Sequence, residues 1–274
     1  MSECSKKVVY ILLICLIMVV LGAANSFAQY NESILYGKTI VVGVEESVDW
    51  APFEFIGKND DIQSNHVEGF SIDVLNEILT PYNVKLEYSF YPWKRCLEYL
   101  MKGEHLQIIL PTSLTAERRN KYLFTDYVYE VTPAYFYLKS NRLKLKPISE
   151  AHELYSFGSI CGKSGYNYQN FGIDSKRVDR GASTFKALIG KLKGERCTVV
   201  LARFEIIAAS HLVGENLLTQ DIEFRFVPNV DKERFHFIIT KNTSFSRELV
   251  DIINQGVKEM RKSGRLKEIL DKYL

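Results

Sequence analysis

Few residues of this chain have the types and spacing that catalysis or metal binding requires. Its histidines and cysteines show no H-x-x-H or C-x-x-C spacing, and no G-x-S-x-G motif occurs. The five histidines are His66, His105, His152, His211 and His236. The sequence therefore indicates no metal site, no cofactor and no hydrolytic nucleophile.

The side chains with more promising chemistry are cationic. Arg118 and Arg119 follow the turn-like residues 113–117 (SLTAE), and the planar fork of a guanidinium can pair with both oxygens of a carboxylate. Taken alone, the pair fits solvated charges near the start of a helix equally well. Residues 162–164 (GKS) look like the end of a phosphate-binding loop, but that motif needs glycine at 157, where the chain has Phe157.

The N-terminus predicts export. Lys6 and Lys7 precede an apolar run at residues 8–24, and residues 26–28 (SFA) supply the small residues that signal peptidase requires. We expect cleavage after Ala28 and a periplasmic location. The apolar run has 17 residues, which leaves an uncleaved N-terminal anchor as the alternative.

The exported chain is expected to have almost no net charge. The 274 residues include 35 Lys and Arg and 33 Asp and Glu, and removal of residues 1–28 leaves 33 against 32. Near-neutral charge gives no reason to expect a nucleic-acid partner.

The cysteines give no disulfide framework. Cys96, Cys161 and Cys197 remain after signal removal, an odd number with irregular spacing. We expect buried free thiols, and a Cys161–Cys197 bridge is the alternative in an oxidising compartment.

The elements that must position the cationic residues alternate between strand and helix patterns. In the first part, strands are expected at residues 38–44, 85–90 and 107–110, and helices at 70–79 and 93–102. This βαβαβ order implies a parallel sheet.

The middle of the chain repeats the alternation. We expect strands at residues 156–161, 176–180 and 197–202 and helices at 166–171 and 183–193. Strand-like segments at 135–138 and 235–239 bracket this part, so the chain is expected to cross between two lobes twice. A final helix from Ser246 is broken by Gly264.

Six blocks in order resemble the bacterial extracellular solute-binding proteins of family 3, the receptors of polar amino-acid ABC transporters. The resemblance covers essentially the whole mature chain. The blocks are residues 42–55 (VGVEESVDWAPFEF), 68–79 (EGFSIDVLNEIL), 92–104 (PWKRCLEYLMKGE), 113–130 (SLTAERRNKYLFTDYVYE), 185–197 (FKALIGKLKGERC) and 248–274 (ELVDIINQGVKEMRKSGRLKEILDKYL).

The resemblance implies an α/β, two-lobed periplasmic binding fold of type II, with mostly parallel sheets and a two-strand hinge. Lobe one would hold residues 29–131 and 236–274, and lobe two residues 132–235. Such a monomer closes around a small solute in the cleft and presents it to a membrane permease or sensor.

In that family the T-x-x-R element, here residues 115–118, supplies the arginine that binds the ligand's carboxylate. The resemblance therefore implies Arg118 as the first site residue, with Ser113 and Thr112 beside it, whereas Arg119 falls on a variable position. Trp50 and Trp93, the chain's two tryptophans, match aromatic walls of the cleft, although a tryptophan is more often a core residue.

Lobe two contributes further candidates by the same resemblance. Residues 162–164 match a helix start whose free N–H groups can hold an anion, which makes Lys163 and Ser164 candidates. The family's ammonium-binding aspartate is replaced by Ala202, followed by Arg203.

The missing aspartate leaves two hypotheses about the cleft. In one, Arg118, Lys163 and Arg203 form a cationic cleft for a carboxylate-rich solute without an amino group. In the other, Lys163 and Arg203 are surface charges. Separately, Glu46, Asp49 or Glu205 could take the place of the missing aspartate.

Two other functions remain open from the sequence. Relatives of the fold include dehydratases of cyclic carboxylic acids, for which Glu46 or Glu205 would be the acid. A solute-sensing partner of a membrane receptor is the other alternative.

Overall fold

The computed structural model describes Tyr30 and residues 32–46, 49–57, 66–164, 166 and 168–274. The expected signal peptide, residues 1–28, lies outside this part of the chain. Among the helices described, none has the length and apolar character needed to cross a membrane.

The strands follow the alternation expected from the sequence, with short additions. In chain order they are β1 (Thr39–Glu45), β2 (Asp49–Trp50), β3 (Glu54–Phe55), β4 (Lys85–Tyr91), β5 (Ile108–Ser113), β6 (Leu123–Phe124), β7 (Tyr129–Val131), β8 (Pro133–Leu138), β9 (Ile160–Lys163), β10 (Asp179–Ala182), β11 (Val199–Arg203), β12 (Ile222–Phe226) and β13 (Glu233–Ile239).

The α-helices lie between these strands and at the end of the chain, and short 3₁₀ turns supplement them. They are α1 (Phe70–Leu79), α2 (Trp93–Lys102), α3 (Ala116–Lys121), α4 (Phe185–Lys193), α5 (Phe204–Ala208), α6 (Ser246–Ser263) and α7 (Arg265–Leu270). The expected helix at residues 166–171 is a 3₁₀ turn at Tyr168–Phe171.

The first sheet has the strand order β4-β1-β5-β13-β6, and β7 also pairs with β13. Strand β1 is parallel to both β4 and β5, because α1 and α2 each return the chain to the same edge of the sheet. Helices α1 and α6 bury their apolar residues in the same hydrophobic core as the strands of this sheet.

The second sheet has the order β10-β9-β11-β8-β12. Strand β9 is parallel to β10 and β11, whereas β8 is antiparallel to β11 and β12. Strand β13 likewise runs antiparallel to its neighbours in the first sheet. Both sheets are therefore mixed rather than mostly parallel, because each contains a strand that enters from the other lobe.

The chain crosses between the sheets twice, as expected for two lobes. The first crossing passes through Thr132 between β7 and β8, and the second through residues 227–232 between β12 and β13. Strand β13 joins the first sheet from Glu233 onward, and the lobe boundary at residue 236 stays a prediction.

The expectation of free thiols at Cys161 and Cys197 is wrong, since the two form a disulfide with a Cα–Cα distance of 5.9 Å. Cys161 lies on β9 opposite Val200 of the adjacent parallel strand β11, and Cys197 lies just before β11. Strand pairing thus brings together residues 36 apart in sequence. Cys96 is free and buried.

The disulfide gives a direct test of the second sheet. In a protein that begins at Gln29, Ellman's reagent under denaturing, non-reducing conditions should titrate one thiol. Closure of a loop across 36 residues stabilises the fold by about 3 to 4 kcal/mol in chain-entropy terms. Cys161→Ser should therefore lower the melting temperature, and reductant should have little further effect on that variant. Three titratable thiols in the unreduced protein would contradict the pairing.

Candidate functional site

A cavity of about 510 Å³ lies between the two lobes. Its walls come from the carboxyl ends of β1 and β5 on one side and of β9 and β11 on the other, the edge where α/β sheets usually bind ligands. All eight residues expected at the site line it, namely Trp50, Trp93, Thr112, Ser113, Arg118, Lys163, Ser164 and Arg203. The structure brings them together; that they bind a ligand stays a prediction.

Arg118 is positioned by the first turn of α3. Thr115 caps this helix by accepting a hydrogen bond from the Arg118 N–H, and the third helical position carries the guanidinium back over β5. There Nη1 donates to Thr112 Oγ1 and to the Ser113 carbonyl, both at 2.9 Å. The guanidinium also lies 5.0 Å from the Trp93 ring centroid.

The Arg118 guanidinium has only neutral hydrogen-bond partners. Among the described residues no carboxylate forms an ion pair with it, and partial burial is the main reason its pKa is lowered from the usual value. Arg119, one residue further along α3, is exposed and outside the cavity wall. The helix therefore separates the two adjacent arginines into a cavity-facing and a solvent-facing one.

Trp50 stands on the β2–β3 hairpin of lobe one and contacts rings from both lobes. Its Nε1 donates to Tyr129 Oη at 2.9 Å. Its ring centroid lies 5.4 Å from that of Phe235, 5.9 Å from Tyr166 and 6.3 Å from Phe185. The indole is thus packed in an aromatic cluster and also forms part of the cavity wall. Trp50 is therefore at once a packing residue and a residue of the cleft.

Lys163 forms an ion pair across the cleft. Its Nζ lies 3.1 Å from Asp49 Oδ2, and its side chain is only 12% exposed. Lys163 belongs to β9 of lobe two, whereas Asp49 belongs to β2 of lobe one. This ion pair therefore joins the two lobes directly.

Arg203 forms the most deeply buried ion pair of the site. Its Nε and Nη2 both donate to Glu233 Oε2, at 3.0 and 2.6 Å, and the two side chains are 3% and 8% exposed. Its Nη1 is buried and has no hydrogen-bond partner within the described part of the chain, and the guanidinium lies 4.1 Å from the Tyr166 ring centroid. The aromatic face partly compensates for the missing partner.

Both hypotheses about these cations are wrong. Neither Lys163 nor Arg203 is a surface charge, because each is largely buried against an acid. The cavity is not cationic either, because its three cations face four carboxylates, those of Glu45, Asp49, Glu54 and Glu233. Two of the three cations are already neutralised, which leaves Arg118 as the cation without an acidic partner among the described residues.

The structure also corrects the choice of acids. Glu205 accepts hydrogen bonds from the backbone N–H and hydroxyl of Thr132 at 2.8 and 2.7 Å, at the first crossing, and it does not line the cavity. Glu46 is exposed and also absent from the wall. Asp49 lines the cavity but is paired with Lys163.

Glu45, Glu54 and Glu233 line the cavity but were missed by the sequence interpretation. Glu45 ends β1, so its place at the carboxyl end of a central strand was the available signal. Burial raises the pKa of Glu45 and raises that of Glu54 well above its ordinary value. No sequence pattern marked Glu54 or Glu233.

The Ser164 N–H is not free to bind an anion. Residues 162 and 163 belong to strand β9, and the Ser164 N–H donates to the Ala182 carbonyl at 2.7 Å. The expected free N–H at this residue is therefore already used. Gly162 has a packing role, because a Cβ there would lie 2.1 Å from Tyr168 Oη.

Two mixed α/β lobes, two crossings and an interlobe cavity lined by aromatic and charged residues define the two-lobed fold of type II periplasmic binding proteins. The sequence profile of the bacterial extracellular solute-binding proteins, family 3, matches residues 40–274. The chain therefore belongs to that family.

Individual relatives are distant but cover most of the chain. A probable histidine-binding protein of Neisseria gonorrhoeae is 23% identical over 85% of this chain and 82% of its own length. A reconstructed ancestral cationic amino-acid solute-binding protein has a TM-score of 0.66 at 20% identity, covering 86% of this chain and 95% of that chain. A Streptococcus pneumoniae ABC-transporter binding protein with bound histidine has a TM-score of 0.65 at 20% identity, covering 92% and 95%.

The buried ion pair of Arg203 and Glu233 gives a testable stability prediction. Glu233→Gln should lower the free energy of unfolding by about 3 to 5 kcal/mol, because it leaves the buried guanidinium without a counter-charge. Adding Arg203→Met should restore a large part of this loss, since the double variant contains no unpaired charge. Both values are measurable by urea unfolding.

The neighbouring Arg234 provides the matched control. It pairs with Glu130 at 2.9 Å, but its side chain is 61% exposed, so Arg234→Met should change stability by no more than about 1 kcal/mol. Equal effects of Glu233→Gln and Arg234→Met would contradict the burial that the structure gives to the Arg203 pair.

Proposed function

We propose that this protein is a periplasmic receptor that captures a small carboxylate-bearing solute, an amino acid or a related compound, in the interlobe cleft and delivers it to an ABC importer. The observation that carries the proposal is the state of Arg118. It is the cavity cation whose partners, among the described residues, are all neutral.

A carboxylate would complete the environment of Arg118. The guanidinium is partly desolvated, and Thr112 and Ser113 hold it from one side. A bidentate carboxylate supplies the missing negative charge and two strong hydrogen bonds. The hydrogen bonds to Thr112 and Ser113 hold the guanidinium in one position beside the Trp93 ring, which reduces the entropy lost when the ligand binds.

Contacts from both lobes support a closing receptor. Trp50 of lobe one faces Tyr166 and Phe185 of lobe two, and Asp49 pairs with Lys163 across the same cleft. A solute that touches both walls stabilises the closed form more than the open form. This difference in binding free energy drives closure. The closed form is then the state that a membrane partner can distinguish.

The relatives support an amino-acid type of solute. The Neisseria relative is described as histidine-binding, and the reconstructed ancestral protein as binding cationic amino acids. The dehydratase alternative has lost its candidate acids, because Glu46 and Glu205 both lie outside the cavity wall.

The role of Arg118 can be tested by ligand binding. The wild-type protein from Gln29 onward is screened by thermal shift against amino acids, di-acids and other small anions, and the affinities of hits are measured by calorimetry. Arg118→Gln should weaken binding by roughly 30-fold or more, because it removes the partner of a desolvated carboxylate.

Arg119→Gln is the matched control, because this neighbouring arginine is exposed and outside the cavity. It should leave affinity within about threefold of wild type. Binding that persists unchanged in Arg118→Gln, or that is lost equally in both variants, would refute the carboxylate role of Arg118.

A further inference from the structure

We propose that Glu54 of lobe one is the residue that accepts the ammonium group of the solute, so that one lobe holds both charged ends of an α-amino acid. This inference rests on the proposed function, since it assumes that Arg118 binds the carboxylate. It names a specificity-determining residue and the class of solute that the residue selects.

The position of Glu54 places it in the cavity wall. It pairs with Trp50 across the β2–β3 hairpin and lines the same cavity as Arg118. Its Oε2 accepts a hydrogen bond from Ser71 Oγ at 3.0 Å, at the start of α1. The hairpin and the helix therefore hold the carboxyl group from two sides.

The pairing of the other charges leaves Glu54 without a cation. Asp49 is neutralised by Lys163 and Glu233 by Arg203, whereas no ion pair to Glu54 occurs within the described ranges. A partly buried carboxylate without a positive partner is costly. A ligand ammonium group would supply the missing charge.

Lobe two offers no equivalent group at the end of β11. Ala202 is buried and apolar, and the next residue, Arg203, is committed to Glu233. A positive ligand group placed there would face an already neutralised guanidinium. The charge arrangement therefore favours the lobe-one side for an ammonium group.

Glu45 is the competing acid, but its surroundings differ. The residue is exposed overall. Partial burial of its carboxyl raises its pKa, but the nearby Lys163 opposes this rise and favours the charged form. Around Glu54 the neighbouring titratable groups are Glu45 and Tyr129, and neither supplies a positive charge. Burial raises the pKa of Glu54 well above 4.5, so this carboxyl gains more than Glu45 from an incoming cation.

The solute class follows from the two anchors. A compound with one carboxylate and one ammonium group on the same carbon satisfies Arg118 and Glu54 together, whereas a di-acid would place a second anion against Glu54. Because both anchors belong to lobe one, the open protein should bind the solute there before lobe two closes over it.

The test compares amino acids with their analogues that lack the amino group. The pairs are L-histidine with 3-(imidazol-4-yl)propanoate and L-arginine with 5-guanidinopentanoate, measured by calorimetry. Wild type should prefer the amino acid of at least one pair by roughly 30-fold or more. In Glu54→Gln, which retains an oxygen acceptor for Ser71, that preference should fall to within about threefold.

Glu46→Gln is the control, since Glu46 is exposed and outside the cavity wall, and it should keep the wild-type preference. The proposal is overturned if Glu54→Gln retains the preference or if Glu45→Gln alone removes it. It is also overturned if the analogue binds wild type as tightly as the amino acid while binding still depends on Arg118, a result that leaves the proposed function intact.

A second measurement needs no ligand and so stands even if the proposed function fails. Because the pKa of Glu54 in the folded protein lies above 4.5, the unfolded chain ionises this carboxyl first, and wild type loses stability as pH rises above that value. The melting temperature of ligand-free Glu54→Gln should therefore match wild type near pH 4 and exceed it increasingly as pH rises above 4.5, until Glu54 also ionises in the folded protein and the difference becomes constant. A difference that is flat or reversed with pH would show that the empty cleft already satisfies this carboxylate.

Discussion

The structure depends on one electrostatic constraint. Charges that face a shared, partly dry cavity lose solvation by water, and a partner of opposite charge must compensate for that loss. Three cations and four carboxylates line this cavity. Lys163 and Arg203 satisfy the constraint with acids supplied by lobe one and by the crossing strand β13. The remaining charges, on Arg118, Glu45 and Glu54, lack protein partners of opposite sign at ion-pair distance among the described residues.

The path of the chain makes this constraint possible. Because β8 and β13 carry the chain from one lobe to the other, each sheet mixes parallel and antiparallel pairs. The carboxyl ends of the parallel strands in both sheets then face the same cleft. Glu233, at the start of β13, lies beside the second crossing and reaches Arg203 of lobe two. A crossing strand thus supplies a counter-charge as well as a connection.

Regular local patterns explain why much of the fold could be predicted. Helices α1 and α2 occupy the predicted residues because their apolar stripes repeat at helical spacing, and α6 ends where Gly264 adopts a positive φ. The mixed character of the sheets could not be read in the same way, because strand direction depends on which lobe the chain enters. The Cys161–Cys197 bond likewise depends on the pairing of β9 with β11.

The residues of the cleft likewise divide into those that the sequence could identify and those that only the structure could. The sequence alone was sufficient to identify Arg118, Trp50 and Trp93 as candidate site residues. It also contains the capping residue Thr115, which starts helix α3 so that Arg118 is its third residue. Only the tertiary structure decided the state of the other charges. It paired Lys163 with Asp49 over 114 residues of sequence and Arg203 with Glu233 over 30, and it left Glu54 beside Ser71. The reason is physical: the type of a side chain is local, but its charge partner and its exposure to water depend on which distant segments the fold places around it.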